Sequence, residues 1–291
     1  MHLIQINQEF SGLRLDKFLC KKFDISFALA QKIIREKKTK VNGARVDASY
    51  RIQDSDQVEI FTDLENRLEN QKKSPQISKN KMESFDSWII FEDENLIAID
   101  KPSGLAVQGG SGIDISIDDF ITPKKYQLVH RLDKDTSGIL LIAKNNKTAE
   151  FLTNSFKNKT IKKTYLALVC GVLKKTDGVI NIALKKKFLG KNEKVLPDLI
   201  EGKEAITEFK LLKNFIDYSL LELKPLTGRT HQLRVHCKEL GHPILNDVKY
   251  GGSKVLRKDI CKRLCLHAFK IEIPNYFSTT LKIETELPEF C

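Results

Sequence analysis

Between Asp63 and Ser87 the chain reads DLENRLENQKKSPQISKNKMESFDS, polar, rich in Lys and Asn, and without a sustained apolar period. A stretch that offers no apolar face has nothing to bury and behaves as a flexible linker. It divides the 291 residues into a small first unit, 1–62, the linker, 63–87, and a larger second domain, 88–291. A chain of this length has the volume for two separate cores.

In the first unit Leu15, Phe18 and Leu19 recur at helical spacing, as do Leu29 and Ile33. Two short amphipathic helices follow from that period, the second spanning 26–36 with Ser26 as its N-cap. Val41-Asn42-Gly43 then supplies an Asn-Gly turn, and Val58-Glu59-Ile60 alternates as a strand. Arg14, Lys17, Lys32, Arg35, Lys37, Lys38, Lys40 and Arg45 crowd this small unit. A charge run is commonly a solvated face. At this density it also fits a surface for phosphates.

The second domain places β-rich apolar segments at 96–99, 138–143, 164–169, 219–223, 268–273 and 281–286. Helical spacing occurs at 147–156 and 230–240. Strands outnumber helices and do not alternate regularly with them, which predicts an α+β fold with a mixed, largely antiparallel sheet. Lys and Arg number 49 against 38 acidic residues, a net charge of +11. Such an excess points to a polyanionic partner, nucleic acid before membrane, since no basic amphipathic helix with a bulky apolar face is present. The N-terminal MHLIQINQEF lacks the regions of a secretory signal, and six scattered cysteines read as reduced thiols of a cytoplasmic protein.

Several chemical motifs fail on spacing. VQGGSG (107–112) matches neither a phosphate loop nor a dinucleotide fingerprint, and His231 and His236 are five apart rather than four. Packing and hydrogen bonding account better for both histidines than a metal does, and no serine stands in a nucleophile elbow. What remains is HRLDKDTSG (130–138), with Asp133 at the end of an apolar run and Asp135 among turn formers. Asp135 can serve a turn through its own backbone. Asp133, directly after Leu132, is also positioned to face a partly enclosed site.

HRLDKDTSGILLIAK (130–144) resembles the signature of the RluA family of RNA pseudouridine synthases. The likeness continues in order through NLIAIDKPSGLAVQGGSG (95–112), KKTYLALVCG (162–171), LKPLTGRTHQLRVHCKELGHPILND (223–247) and LHA (266–268). RLDKFL (14–19), the helix 26–36 and VNGARV (41–46) resemble an S4 RNA-binding domain. Within the family, KPSGLAVQGGSG looks closest to the RluC branch, which modifies large-subunit (23S) ribosomal RNA. The basic stretch 185–194, KKKFLGKNEK, matches no motif and reads as a solvated loop.

The resemblance implies a function. Uridine would be isomerised to pseudouridine by breaking its C1′–N1 bond and rejoining the base through C5, with no metal, redox cofactor or group donor. It makes Asp133 the catalytic carboxylate, Arg234 the cation that keeps it charged, and Tyr165 the residue that stacks on uracil and relays the C5 proton. A buried carboxylate without a cation tends to become neutral, which is the reason for such a pair. Arg131 would fill the gap left when the nucleotide is extruded, and Leu233 would pack on the uracil ring. Arg14, Lys17, Arg35, Lys38 and Arg45 would hold RNA phosphates. The competing readings are an inactive S4-type RNA-binding protein, a synthase acting on another structured RNA such as tRNA, and a carboxylate glycosidase. The last would require a second acid in the site.

Overall fold

The computed structural model describes residues 2–23, 25, 27–62, 79–110, 113–189 and 192–291. The chain forms two compact units, Met1–Ser78 and Lys79–Cys291. Ser26, the expected N-cap, and the stretch 63–78 lie outside the described residues.

The first unit runs β1 (His2–Gln5), α1 (Leu15–Phe23), α2 (Phe27–Arg35), β2 (Thr39–Val41) and β3 (Gln57–Ile60), with β3 central in an antiparallel sheet. Leu15, Phe18 and Leu19 of α1 meet Leu29, Ile33 and Ile34 of α2 over Val58 and Ile60. Nine-residue helices owe their stability to such packing rather than to propensity. Asn42 and Gly43 both have positive φ, 51° and 76°, as a two-residue hairpin turn requires. Val41 and Ala44 exchange both backbone bonds across it.

The second unit starts inside the expected linker. Lys79–Asp86 is a helix, α3, and its Phe85 is fully buried. That ring stacks on Phe120 at 5.4 Å and meets Trp88 edge-on at 6.0 Å. The compact second unit begins at Lys79, where one aromatic anchor, Phe85, holds a helix that is otherwise polar apart from Met82. After it come β4 (Ile89–Glu92), β5 (Leu96–Lys101), α4 (Ile117–Ile121), β6 (Gln127–Leu128), β7 (Ser137–Ala143), α5 (Asn146–Lys157), β8 (Lys162–Cys170) and β9 (Asp177–Asn181). The remainder is β10 (Leu184–Leu189), β11 (Asn192–Pro197), β12 (Ile206–Asn214), β13 (Tyr218–Pro225), α6 (Gln232–Glu239), α7 (Val248–Gly251), β14 (Leu266–Tyr276) and β15 (Thr279–Glu284).

Ten strands form one sheet in the order β4-β5-β7-β14-β8-β13-β12-β9, with β6 on β7 and β15 on β14. This is the mixed, largely antiparallel sheet of an α+β fold. Among the described strands only β7 and β14 run parallel, over His267↔Ser137 and Ala268↔Gly138. Two half-sheets thus meet at a two-residue register. Of the stretch 185–194, expected as a solvated loop, the described residues 185–189 and 192–194 lie instead in the antiparallel pair of β10 and β11. Leu184 and Val195 are buried with Val235 and Tyr250, so a few apolar residues among lysines suffice to seat it. No helix among the described residues is long and apolar enough to cross a membrane.

The junction explains Gly138. Its φ is +106°, and an added Cβ would lie 2.3 Å from the Ala268 carbonyl oxygen and 2.6 Å from the Ala268 nitrogen. Neither backbone can retreat without opening the sheet. Gly138→Ala is expected to cost more than about 3 kcal/mol, combining a disfavoured φ with overpacking. Urea unfolding followed by the fluorescence of Trp88, the single tryptophan, measures this directly.

Candidate active site

The loop between β6 and β7 is held from below. Asp133 accepts the Thr136 backbone N–H at 3.2 Å through its carbonyl, closing a turn with Lys134 and Asp135 at its tip. Lys101, at the end of β5, is wholly buried and donates to three carbonyls: Pro102 at 2.8 Å, Leu105 at 2.9 Å and Lys134 at 3.1 Å. Ser103 Oγ donates to the Asp135 carbonyl, and the Gly104 N–H to that of Lys134. The KPSG segment is therefore a clamp on the turn. Burial brings the Lys101 pKa down to about 8, against the opposing pull of the Asp135, Asp133 and Asp100 charges. At the other end of the loop His130 Nε2 accepts the Leu141 backbone N–H at 2.8 Å. That bond requires a neutral ring, and burial, with the nearby Lys163 charge, holds its pKa down at about 3.

Asp133 faces α6. Arg234 Nη1 lies 3.5 Å from Asp133 Oδ2, and His231 Nε2 lies 3.8 Å from the same oxygen. Arg234 donates two bonds of 2.7 Å to Asp247, whose side chain has no exposed surface. Its guanidinium also stands 5.2 Å over the Tyr250 ring. The expected Asp133–Arg234 pair is present, but as the looser half of a shared contact. Bidentate anchoring on Asp247 fixes the guanidinium plane, leaving one edge for Asp133. Although burial opposes its charge, the Asp247 bonds and then the Asp133 charge raise the Arg234 pKa.

Tyr250 Oη accepts the Val195 backbone N–H at 3.3 Å and sits 2.6 Å from His231 Nδ1. Where the hydroxyl donates to Nδ1, a neutral His231 carries its proton on Nε2, towards Asp133. Burial lowers the His231 pKa and favours that neutral form. By contrast His236 bonds Thr207 Oγ1 and the Ile182 carbonyl inside the domain, a packing role as expected.

Tyr165, on β8, pairs in register with both Leu223 and Ala268. Burial first, and the Asp133 charge second, push its pKa up, so the phenol keeps its proton. Asp133, Tyr165 and Arg234 line one cleft of about 580 Å³ together with Arg131 and Leu233. Arg131 is exposed and Leu233 almost fully buried. Asp135, by contrast, is exposed at the turn. All five candidates of the second domain therefore converge from a loop, a strand and a helix.

In the first unit Arg14, Lys17, Arg35, Lys38 and Arg45 are exposed. Arg14 is tied to the buried Asp16 at 2.6 Å, and Gln31 of α2 donates to the same carboxylate at 2.7 Å. Arg35 stands one helical turn beyond Gln31, on the same face. Arg14 and Arg35 are thus set along one α1–α2 surface. The residues that sequence reasoning did not assign are Lys101, His130, His231, Asp247 and Tyr250. Lys101, His130, His231 and Asp247 carried the only signal, a position inside the quoted motifs; Tyr250 stands outside them.

The profile of the RNA pseudouridylate synthase family matches residues 95–239, and that of the S4 domain matches residues 13–58. Ribosomal large subunit pseudouridine synthase C of Haemophilus influenzae is 38% identical over 284 residues, covering 94% of this chain and 87% of that protein. The protein of the same name in Rickettsia felis is 38% identical, covering 98% and 96%. Among solved structures, human RNA pseudouridylate synthase domain containing 4 superposes with a TM-score of 0.60 at 26% identity, covering 72% of this chain and 92% of that one. Human RNA pseudouridylate synthase domain containing 1 gives 0.60 at 29% identity, covering 70% and 85%.

The Lys101 clamp has a pH signature. Its folded pKa of about 8 lies below the value of about 10.4 for a free lysine. Between these values the unfolded chain binds more protons, so stability rises with pH. The cost of burying the charge is full below about pH 8 and gone above about pH 10.4, on the order of 3 kcal/mol. The stability difference between wild type and Lys101→Met, measured in urea from pH 7 to 10.5, is expected to shift in favour of wild type by roughly that amount. A flat difference would mean that the ammonium titrates as in water.

Proposed function

The chain belongs to the RNA pseudouridylate synthase family, and we propose that it isomerises specific uridines of 23S large-subunit ribosomal RNA to pseudouridine with Asp133 as the reacting carboxylate. The substrate is carried over from the relatives named for the ribosomal large subunit. A cytoplasmic location, where that RNA is made, belongs to the same reading. The observation that supports the site assignment most directly is the convergence of Asp133, Tyr165 and Arg234 on one cleft.

Each residue has a physical part. A uridine leaves its helix at a cost of a few kcal/mol and enters the cleft. Arg131, exposed at the mouth, stacks in the vacated place, as guanidinium planes do on bases. Leu233 and the Tyr165 ring hold the uracil, while the ribose meets Asp133. The carboxylate acts on C1′ as a nucleophile or on C2′ as a base; both need it ionised and unsolvated by bulk water. Arg234, immobilised by Asp247, supplies the opposing charge without itself moving. Tyr165 keeps its proton, so it donates a hydrogen bond to the turning base and takes part in proton transfer at C5. The first unit contributes phosphate contacts through Arg14, Lys17, Arg35, Lys38 and Arg45, which raise the local concentration of RNA at the second unit.

Asp133→Asn is expected to fold and bind RNA as wild type while forming no pseudouridine, because the amide is close in shape but neither base nor nucleophile. Asp135→Asn should retain activity within a few-fold. Pseudouridine mapping on transcribed 23S RNA separates the two, and equal effects would assign the reactive carboxylate elsewhere.

Removing residues 1–78 should flatten the dependence of log affinity on log salt, since fewer counterions are released. Single-turnover rates at saturating RNA should stay within about tenfold, or roughly 1.4 kcal/mol in the barrier. An unchanged salt slope would make the basic residues of the first unit a solvated face. A collapse of the single-turnover rate would give that unit a part in shaping the active site.

A further inference from the structure

Among the described residues Lys163 is a cation without a partner. It sits on β8 and lines the same cleft as Asp133. Its side chain is half-buried, and among the described residues it makes no hydrogen bond or ion pair. Two other lysines of the domain are differently placed. Lys101 spends its three protons on carbonyls, and Lys159, at the rim, pairs with Glu204 at 3.2 Å. Burial lowers the Lys163 pKa with no opposing carboxylate. A half-buried charge left unpaired costs stability, so the fold retains it against its own interest.

The position says what would match it. Side chains two apart on a strand share a face, so Lys163 and Tyr165 both look into the cleft, roughly 7 Å apart along β8. If Tyr165 meets the base, the group that meets Lys163 is the next one along the nucleotide, not the base itself. Uracil carbonyls are neutral and would not compensate an ammonium ion. Arg131 and Lys157 line the same cleft and add to its positive charge, which favours an anionic group over a neutral one.

We propose that Lys163 binds the phosphodiester adjoining the uridine held in the cleft. The contact deepens the reading of function given above and rests on it. The anion that completes Lys163 arrives with the RNA, so the residue is a substrate-binding group that has no partner among the described residues. It ties extrusion of the nucleotide to neutralisation of a charge the protein leaves open.

The test compares Lys163→Met and Lys163→Arg, each in the full chain carrying Asp133→Asn so that bound RNA is not turned over. Unmodified 23S ribosomal RNA transcript is titrated at several KCl concentrations. Lys163→Met should weaken binding about tenfold and lower the salt slope by about 0.7, the value for one lost single-strand phosphate contact. Lys163→Arg should stay within a few-fold of the parent. The urea midpoint of Lys163→Met should be unchanged or higher, because an unmatched charge has been removed. An unchanged salt slope, equal losses in both variants, or a lower urea midpoint for Lys163→Met would each overturn the proposal. Wild type is assayed on the same transcript: failure to form pseudouridine there would count against the proposed function, whereas the phosphate contact is judged on the binding slopes alone.

Discussion

Everything in the second unit hangs on the short parallel contact of β7 with β14. Ala268 is the register partner of Gly138 on one side and of Tyr165 on the other. The turn carrying Asp133 ends where β7 begins, so closing this contact brings that turn alongside the Tyr165 strand. Backbone hydrogen bonds set such spacings to within tenths of an ångström. A side chain at 138 would part the strands and separate the carboxylate from the tyrosine at once.

The second constraint is electrostatic. A buried acid and a buried base must each be fully matched, or the desolvation cost dominates. Arg234 solves this with two carboxylates. Asp247 takes two full hydrogen bonds and gives the guanidinium its orientation, while Asp133, at 3.5 Å, is close enough to feel the charge and free enough to react. Were Asp133 the bidentate partner, its oxygens would be occupied. The Asp247–Arg234 pair is therefore structural in energy and functional in consequence.

The same logic separates the lysines and histidines of the site. Lys101 replaces a counter-ion with three carbonyls and so becomes a fastener for the loop. His130 gives its acceptor nitrogen to the backbone of β7 and remains neutral. His231 is set by Tyr250, which also accepts a backbone bond from the β10–β11 pair. The basic strand pair is thereby connected to the residue next to Asp133 through two hydrogen bonds.

Periodicity and turn chemistry alone determined much of this protein. The α1 and α2 helices, the Asn42-Gly43 turn, the order of apolar strands and the absence of regular alternation are all local signals, and they carry the fold class. Motif resemblance added Asp133, Tyr165, Arg234, Arg131 and Leu233, because those residues stand in short spans of characteristic order. Tertiary structure decided what depends on residues distant in the chain. Phe85 anchors a helix inside polar text only because Phe120 and Trp88 lie against it. Only the packed chain sets Asp247 against Arg234 and surrounds Lys101 with three carbonyls. No local pattern encodes such partners: burial and pairing are properties of the packed chain, and they decide which of its many charges are matched within the fold and which are left open.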